Sequence, residues 1–459
     1  MSMTLAALAH LTGGRLVGRD AAWAGAGLDS RTVQHGQLFV ALRGERVDGH
    51  DYLAAAAAAG AAGALVERPV DCSLPQVVVT SSERALQQAA AAHRARFRGP
   101  VIAVAGSNGK TTSKEMVRAI LARSRPVLAT RGNLNNHLGV PLTLLAIDET
   151  HAAAVIEVGA NHPGEVAFLT SLVRPDVGLV TNAGAEHLEG FGDLEGVARA
   201  EGELFAGLGA SAVAAINADD EFAALWSGLC GTPSRRYFGF AATADCRIGA
   251  WRAMAPGQVF ELHTNVGSAT VGLPLLGRHN ALNAAGAAAA ALAAGASLQD
   301  VVDGLAGVQP VAGRLVPRTT PGGALLIDDT YNANPSSVSA GLDLLAGYPG
   351  ERWFVLGEMA ELGAQTEAAH TAAGREARER GVTRLFTLGA PTRLAAAAFG
   401  PGAESHAEAA SLAAALRSGL AAHSGGPLTL YVKGSRVNRL ERVVETVLAP
   451  VGGGGANAA

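Results

Sequence analysis

The chain has 459 residues, of which 5% are aromatic, and it carries a formal net charge of −4. At roughly 150 residues per domain this length indicates about three domains, and the charge argues against a broad basic surface for nucleic acid. The three cysteines form no CxxC pair, which argues against a zinc knuckle or a disulfide framework. There is no signal-peptide pattern, and the alanine-rich runs at 53–66 and 281–297 favour packed helices over membrane spans. We therefore expect a soluble, cytoplasmic protein.

Residues 1–98 are predicted to form a small N-terminal α/β domain. An alanine-rich segment at 83–97 is typical of a helix, and it ends beside Gly99 and Pro100, which mark a boundary. Short apolar runs, which are typical of strands, occur at 38–42, 64–66 and 76–80.

Residues 99–314 are predicted to form the central domain. Apolar runs alternate here with helical segments, a pattern that predicts a doubly wound, mostly parallel sheet. The predicted strands lie within 101–105, 126–130, 152–160, 177–184 and 212–220.

A glycine-rich turn follows the first of these strands and precedes a helix. It reads GSNGKTT, and backbone N–H groups at a helix N-terminus favour phosphate. Lys110 can reach a terminal phosphate, and a threonine hydroxyl can hold Mg²⁺. The form GxxGKT is shorter than GxxxxGK[ST] and is not rare by chance, so a plain turn with a solvated lysine is the alternative. The position between strand and helix favours nucleotide binding by Gly106, Ser107, Asn108, Gly109, Lys110, Thr111 and Thr112.

Other polar residues follow strands of the same domain. Glu157 comes at the end of a strand and is placed to hold Mg²⁺, although a surface carboxylate is the alternative. His187 also follows a strand, and its alternative is a structural histidine. The asparagine-rich loop at 133–138, which includes Asn136, can bind a polar substrate or be an ordinary loop.

The end of the central domain carries two further candidates. Asn280 and Asn283 stand three residues apart, on one face of a predicted helix, where they can recognise a base or cap the helix. Arg314 lies at the junction with the next block, where it can fold over a nucleotide or be a solvated hinge residue.

Residues 315–450 are predicted to form a C-terminal Rossmann-like α/β domain. Ligands of open α/β sheets bind beyond the carboxyl ends of strands, so polar residues there are candidates. Asp328 and Asp329 open the polar segment 328–335, and Lys433 with Arg436 can face an anion or form a basic surface turn. The glycine-rich tail at 451–459 is predicted to be disordered. The predicted strands lie within 324–330, 353–359, 384–389 and 428–435.

Seven short motifs resemble those of the Mur ligases in order and spacing, over residues 5–448. They read GSNGKTT, ANHPGE, HLEGFG, GRHNALN, DDTYNANP, GEMAELG and VKGSR. The segments 29–31 and 38–52 also resemble the nucleotide-sugar-binding domain of this family. DDTYNANP together with GEMAELG is similar to the members that add D-alanyl-D-alanine. A DNPR-like motif, expected of the sibling that adds diaminopimelate or lysine, does not occur in the third block. Folylpolyglutamate synthase, a relative, would lack the N-terminal block.

The resemblance implies an ATP-dependent carboxylate–amine ligase with ATP and Mg²⁺ as cofactors. Its small-molecule substrates would be UDP-MurNAc-tripeptide and D-Ala-D-Ala, joined through an acyl phosphate in peptidoglycan precursor synthesis. A monomer is expected. The residues implied in catalysis are Lys110, Glu157 and His187; those implied in nucleotide binding, besides the turn, are Asn283, Arg314 and Asp329. The implied Mg²⁺ ligands are Thr111, Glu157 and His187, and the implied substrate-binding residues are Ser30, Arg31, Asn136, Asn332 and Asn334.

One position departs from the family pattern. Mur ligases of this type carry a lysine that is carbamylated by CO₂ and helps to bind a second Mg²⁺; the matching residue here is Glu201. We expect Glu201 to be a built-in carboxylate at that metal. Its reach is shorter by roughly 3–4 Å at standard bond lengths, so a water would bridge the gap. The alternative is a solvated helix residue.

Two other classes of protein are alternatives to a ligase: a kinase or nucleotide-hydrolysing enzyme, and a non-enzymatic scaffold. A phosphate-loop kinase or NTPase switch would also use Lys110, Thr111 and Glu157. The N-terminal pattern at 29–52 argues against it, because a switch needs no nucleotide-sugar domain. A non-enzymatic scaffold would leave the turn without a purpose.

Overall fold

The computed structural model describes residues 2–254 and 256–450, and the predicted disordered tail at 451–459 lies outside the described residues. The described chain forms three α/β units, each built on its own sheet of five or more strands. The predicted fold class is confirmed: there is a small N-terminal unit, a central unit with a mostly parallel sheet and a C-terminal α/β unit. The proposed domain boundaries at 98/99 and 314/315 stay predictions.

The N-terminal unit contains a five-stranded sheet in the order β2-β7-β6-β5-β4 and a separate pair, β1-β3. The three strands predicted from the apolar runs are β5, β6 and β7, which are parallel neighbours. The strands that the sequence did not reveal are two or three residues long, too short for a period to appear. The elements are β1 (Met3–Thr4), α1 (Leu5–Thr12), β2 (Arg15–Val17), β3 (Ala22–Trp23), β4 (Ala26–Gly27), β5 (Leu38–Val40), a 3₁₀ turn (Gly49–Tyr52), α2 (Leu53–Ala58), β6 (Gly63–Val66), β7 (Gln76–Val78) and α3 (Ser82–Arg94).

The central unit contains a nine-stranded sheet in the order β16-β15-β14-β13-β12-β11-β8-β10-β9. The elements are β8 (Val101–Ala105), α4 (Lys110–Leu121), β9 (Val127–Ala129), α5 (Gly139–Leu145), β10 (Ala153–Glu157), α6 (Glu165–Val173), β11 (Val177–Val180), α7 (Leu188–Phe191), α8 (Leu194–Ala206), β12 (Val213–Asn217), α9 (Ala223–Leu229), β13 (Ser234–Gly239), β14 (Cys246–Met254), β15 (Gly257–Thr264), β16 (Gly267–Leu273), α10 (Arg278–Ala293) and α11 (Leu298–Ala306).

Six of the eight strand pairings in this sheet are parallel. Strand β13 and the antiparallel extension β14-β15-β16 were not predicted; along β15 and β16 exposed residues interrupt the apolar runs. The interior strand β8, between β11 and β10, is buried on both faces: Val101, Ala103 and Ala105 pack into one core, whereas Ile102 and Val104 pack into the other. Burial on both faces explains why β8 reads as an unbroken apolar run.

The C-terminal unit contains a six-stranded sheet in the order β17-β18-β22-β19-β20-β21, in which only β17 is antiparallel to its neighbour. The four predicted strands are β18, β19, β20 and β22. The elements are β17 (Val316–Thr319), β18 (Leu325–Asp329), α12 (Pro335–Ala346), β19 (Glu351–Gly357), a 3₁₀ turn (Gly363–Gln365), α13 (Thr366–Glu379), β20 (Arg384–Leu388), α14 (Arg393–Phe399), β21 (Ala403–His406), α15 (Ala409–Ala422), β22 (Leu428–Lys433), a 3₁₀ turn (Arg436–Asn438) and α16 (Glu441–Leu448).

Strand order in the C-terminal sheet brings distant polar residues together. The first and last of the four predicted strands, β18 and β22, are direct neighbours, and Asp329 pairs in register with Lys433. Among the described helices, none combines the length and the apolar character that a membrane crossing requires. The alanine-rich run at 281–297 falls mainly in the packed helix α10, whose small side chains let it approach the sheet closely. The run at 53–66 is only partly helical, since it forms α2 and then the strand β6.

Candidate active site

A cavity of about 690 Å³ lies between the central and C-terminal units and is lined by residues of both. Ser30, Arg31, Gly106, Thr111 and Glu201 are not among its lining residues. The predicted residues that do line it are Ser107, Asn108, Gly109, Lys110, Thr112, Asn136, Glu157, His187, Asn283, Arg314, Asp329, Asn332 and Asn334. The structure therefore gathers most of the predicted site residues, from segments more than 200 positions apart, around one space.

The glycine-rich turn joins β8 to the first residue of α4, which is Lys110. Gly106 and Gly109 have φ angles of +114° and +83°, a region that glycine enters without steric cost. A Cβ on Gly106 would lie 2.2 Å from Thr181 Oγ1, and one on Gly109 would lie 2.6 Å from Asn283 Oδ1. The turn therefore depends on both glycines, and it directs the N-terminus of α4 at the cavity, a geometry suited to an anion.

Lys110 lies near several carboxylates. Its Nζ donates a hydrogen bond to Ser107 O at 3.0 Å and lies 3.2 Å from Glu186 Oε1. Burial by itself lowers the pKa of Lys110, but the nearby carboxylates of Glu186, Glu201 and Glu157 outweigh burial and raise it. Lys110 is therefore a cation at neutral pH. The sequence interpretation missed Glu186, although it directly precedes His187.

Glu157 is 2% exposed at the end of β10, and its two oxygens differ. Oε1 accepts a hydrogen bond from Asn135 Nδ2 at 2.9 Å, whereas Oε2 is buried without a hydrogen-bond partner. Lys114 Nζ lies 3.8 Å from Oε2 and donates to Thr130 O at 2.6 Å. The alternative of a surface carboxylate is therefore wrong. Lys114 was also missed, though its place four residues after Lys110 on α4 was a usable signal.

The residues around Glu157 fit a magnesium ion that is held only partly by protein. Within residues 2–254 and 256–450, no three His, Cys, Asp or Glu side chains converge into a metal-binding cluster. Mg²⁺ commonly uses one or two carboxylates with waters and substrate phosphates, so a full protein cage is not required. Oε2 of Glu157, which accepts no hydrogen bond, is a hard oxygen of the kind that Mg²⁺ prefers.

Glu201 lies on α8 and is 2% exposed, so the alternative of a solvated helix residue is wrong. Its Oε2 accepts a hydrogen bond from the backbone N–H of Gly106 at 2.7 Å. Burial raises the pKa of Glu201 to about 7, opposed by Lys110 and reinforced by Glu186. The carboxylate thus holds the start of the glycine-rich turn. Metal binding by Glu201 stays a prediction.

His187 stands where the central unit meets the C-terminal unit. Its Nδ1 lies 2.7 Å from Glu361 Oε2, and both residues have positive φ angles, of 48° and 63°. Such backbone angles are strained for non-glycine residues and cluster at functional sites. Glu361 belongs to the GEMAELG motif, but the sequence did not indicate that it contacts His187. Metal binding by His187 stays a prediction.

Two predicted nucleotide contacts lie beside the glycine-rich turn. Asn283 packs against Gly109 and donates to Asn280 Oδ1 at 3.0 Å. Arg314 donates to Thr111 Oγ1 at 3.1 Å, and its guanidinium lies 4.2 Å from the centre of the Tyr331 ring. Arg314 is therefore a bridge between the two units, and the alternative of a solvated hinge residue is wrong.

In the polar segment at the end of β18, some side chains are hydrogen-bonded within the protein and others are exposed. Asp329 Oδ2 accepts hydrogen bonds from Tyr431 Oη at 2.8 Å and Lys433 Nζ at 2.6 Å. Asn334 is buried and caps α12, with its Oδ1 accepting from Ser337 N at 2.8 Å. Asn332 is exposed to the cavity. Substrate binding by Asn332 and Asn334 stays a prediction, and their different surroundings make them unequal candidates.

The remaining predicted substrate contacts have local roles in this structure. Asn136 Oδ1 accepts from the backbone N–H groups of Leu138 and Gly139 at the start of α5. The side chain of Arg31 is 86% exposed and pairs with Asp29 at 2.6 Å. Nucleotide-sugar binding by Ser30 and Arg31 stays a prediction, and it concerns a surface separate from the cavity.

Comparison with known proteins identifies the class to which this arrangement belongs. Three family models match consecutive parts of the chain: the catalytic domain of the Mur ligase family over 23–107, the Mur ligase middle domain over 104–291, and the Mur ligase glutamate ligase domain over 313–436. The chain belongs to the Mur ligase family.

Particular relatives are similar along nearly the whole chain. The UDP-N-acetylmuramoyl-tripeptide–D-alanyl-D-alanine ligase of Escherichia coli K12 is 42% identical over 450 residues, covering 97% of this chain and 98% of the relative. A crystal structure of MurF from Acinetobacter baumannii is 34% identical with a TM-score of 0.91, covering 98% and 99% of the two chains. MurF from Thermotoga maritima in complex with ADP is 27% identical with a TM-score of 0.79, covering 92% and 97%.

Proposed function

We propose that this protein joins D-alanyl-D-alanine to UDP-MurNAc-tripeptide, with ATP converted to ADP and phosphate, in the cytoplasmic part of peptidoglycan precursor synthesis. The observation that carries the proposal is 42% identity to a ligase of that name over 97% of the chain. A relative solved in complex with ADP supports nucleotide binding by this chain, and the geometry of the glycine-rich turn suits the phosphates.

The chemistry has two steps. The γ-phosphoryl group of ATP passes to an oxygen of the terminal carboxylate of the tripeptide, giving an acyl phosphate and ADP. The amine of D-Ala-D-Ala then attacks the acyl carbon, loses a proton, and expels phosphate as the amide forms. Phosphoryl transfer needs positioning and charge neutralisation more than covalent help from the protein.

The residues of the central unit suit the first step. The N-terminus of α4 and the ammonium of Lys110 attract the phosphates, and the carboxylates around Lys110 keep it charged. Thr111 and Glu157 would hold Mg²⁺, with His187 and Glu201 at a second ion. Bound Mg²⁺ would neutralise charge between the two anionic reactants.

The C-terminal unit suits the second step. Its segment 328–335 faces the phosphate turn across the cavity, so an acceptor held there would lie close to an acyl phosphate. Asn332 is the exposed polar side chain of that segment and is our candidate for reading the dipeptide. We assign residues 1–98 to the nucleotide sugar, 99–314 to ATP and 315–450 to the dipeptide.

Phosphate release from ATP tests the proposal. The purified protein is given ATP, Mg²⁺ and UDP-MurNAc-tripeptide, with D-Ala-D-Ala, with L-Ala-L-Ala, or with no acceptor. We expect sustained phosphate release and a pentapeptide product only in the reaction that contains D-Ala-D-Ala as the acceptor. Equal phosphate release with no acceptor would instead support an NTPase and contradict the ligase.

A further inference from the structure

Asn108, in the middle of the glycine-rich turn, uses all of its polar groups. Its backbone N–H donates to Asn182 Oδ1 at 3.0 Å, and its carbonyl accepts from Thr181 Oγ1 and Asn182 Nδ2 at 2.7 and 2.8 Å. These backbone bonds stay within the central unit. The side chain instead points across the gap to α12 of the C-terminal unit.

The side-chain bonds of Asn108 form a closed ring with Asn334 and Ser336, here called the amide ring. Asn334 Nδ2 donates to Asn108 Oδ1 at 2.9 Å, and Asn108 Nδ2 donates to Ser336 Oγ at 3.0 Å. Ser336 Oγ in turn donates to Asn334 Oδ1 at 3.0 Å. Each member therefore donates once and accepts once within the ring.

The direction of the amide ring is determined by the backbone. Asn334 Oδ1 must be the acceptor, because it also accepts from the backbone N–H of Ser337 at 2.8 Å as the cap of α12. Its Nδ2 is then left to donate to Asn108, and the carboxamide of Asn108 can take only one orientation. A side chain on Gly184 would not fit here, since its Cβ would lie 2.7 Å from both Asn108 Nδ2 and Ser336 Oγ.

From this geometry we infer that Asn108 is a positioning residue, which couples the phosphate turn to the segment 328–335 through the amide ring. This inference rests on the proposed function, in which the glycine-rich turn binds ATP and the segment 328–335 binds the dipeptide. The backbone of Asn108 shapes the turn, and its carboxamide holds the C-terminal unit in place over it. Nucleotide binding and capture of the acceptor are thereby linked.

The variant Asn108→Ala removes the carboxamide but leaves the backbone bonds to Thr181 and Asn182. We expect kcat to fall about 10- to 100-fold, the size expected of two neutral hydrogen bonds. The dissociation constant for ADP should change by less than about twofold, because the turn keeps its shape. The melting temperature should stay within a few degrees. Asn265→Ala, in the exposed hairpin between β15 and β16, is the matched control and should equal wild type.

A second variant keeps the test valid if Asn108→Ala does not fold. Ser336 is exposed and opens the amide ring when changed to alanine, while the Asn334 cap remains. Ser336→Ala should lower kcat about 3- to 10-fold, and the double variant should be no worse than Asn108→Ala alone, because one ring is lost in each case. Additive losses, an unchanged kcat in Asn108→Ala, or an ADP affinity that falls as far as kcat would each overturn the inference.

Small-angle scattering gives a readout that needs no acceptor. Wild-type protein should be more compact than Asn108→Ala, both without ligand and with Mg²⁺ and a non-hydrolysable ATP analogue, because the amide ring joins the two units in the structure described above. Equal compaction in both would overturn the inference. Absence of D-Ala-D-Ala-dependent turnover in wild type would contradict the proposed function alone, and the scattering result would still stand.

Discussion

The glycine-rich turn and the segment 328–335 face each other across one cavity but are built differently. The turn contains two glycines with positive φ angles, which lie close in sequence to Lys110, the first residue of α4. The segment owes its charge pattern to strand pairing, which sets Lys433 beside Asp329 across 104 positions. A local motif can therefore be recognised in the sequence, whereas contacts made by strand pairing can be identified only from the three-dimensional structure.

Their cations also differ in surroundings. Lys110 lies near three carboxylates that keep it charged, and these acidic surroundings suit a phosphate only when a cation such as Mg²⁺ accompanies it. Lys433 is matched by the single carboxylate of Asp329 and by Asn332 O. We expect changes around Lys110 to affect the chemical step most, and changes around the C-terminal segment to affect mainly the second substrate.

The largest effect is expected from Lys110→Ala. It removes the cation from the phosphate turn, so turnover should fall by about 10³-fold or more, while the melting temperature stays within a few degrees. Steady-state kinetics and thermal unfolding measure both. Arg118→Ala, on the exposed side of the same helix, is the control and should keep near-normal turnover. Near-normal turnover in Lys110→Ala would contradict the assignment.

Two variants of Glu201 test whether its carboxylate binds a metal or only holds the glycine-rich turn. Glu201→Gln keeps an acceptor for the N–H of Gly106 but removes the charge, whereas Glu201→Ala removes both. If Glu201 helps to bind Mg²⁺, both variants should lose activity, by about 10²-fold, with a Mg²⁺ titration shifted to higher concentration. Bicarbonate should not affect wild type but should activate Glu201→Lys.

The outcome of that pair separates the two roles. A Glu201→Gln enzyme with wild-type turnover and an unchanged Mg²⁺ titration would leave Glu201 as an anchor of the turn and rule out the metal role. A fully active Glu201→Ala enzyme would rule out both roles.

A smaller effect is expected from Asn332→Ala on the C-terminal side. If this side chain reads the dipeptide, KM for D-Ala-D-Ala should rise about tenfold and KM for UDP-MurNAc-tripeptide should change much less. Asn334→Ala is a less specific test, because losing the cap of α12 also costs about 1 kcal/mol of stability. Equal effects on both substrates would point to ATP binding or closure of the units instead.

The smallest effect concerns His370, which is buried and supports the GEMAELG loop by accepting from Met359 N at 3.0 Å. Burial lowers the pKa of His370 below its ordinary value. The unfolded chain therefore takes up a proton at a higher pH than the native state, and stability should fall as pH drops below about 6.5. Thermal unfolding between pH 8 and pH 5 should show a melting temperature lower by a few degrees at acid pH.

In His370→Gln, the melting temperature should fall less between pH 8 and pH 5 than it does in wild type. His35→Gln, at an exposed position, is the control and should leave the curve unchanged. A curve for His370→Gln that runs parallel to wild type would show that another group causes the acid sensitivity.

Much of the fold and part of the site followed from local sequence. The five-residue apolar run of β8, the two glycines and Lys110 were enough to predict a strand, a turn and a helix start, because burial favours an apolar strand and glycine permits the positive φ angles of the turn. The alternation of strands and helices likewise indicated the parallel sheets. The antiparallel β14-β15-β16 extension broke that alternation and was missed.

Only the tertiary structure decided which side chains meet. Glu186 beside Lys110, Lys114 beside Glu157 and Glu361 beside His187 are separated by 43 to 174 positions, and no local pattern records such contacts. The burial of Glu201 was equally hidden, since a single glutamate on a helix does not reveal which of its faces is covered. Sequence by itself determined the backbone of the phosphate turn, and the order of strands and the packing of units determined its charged surroundings.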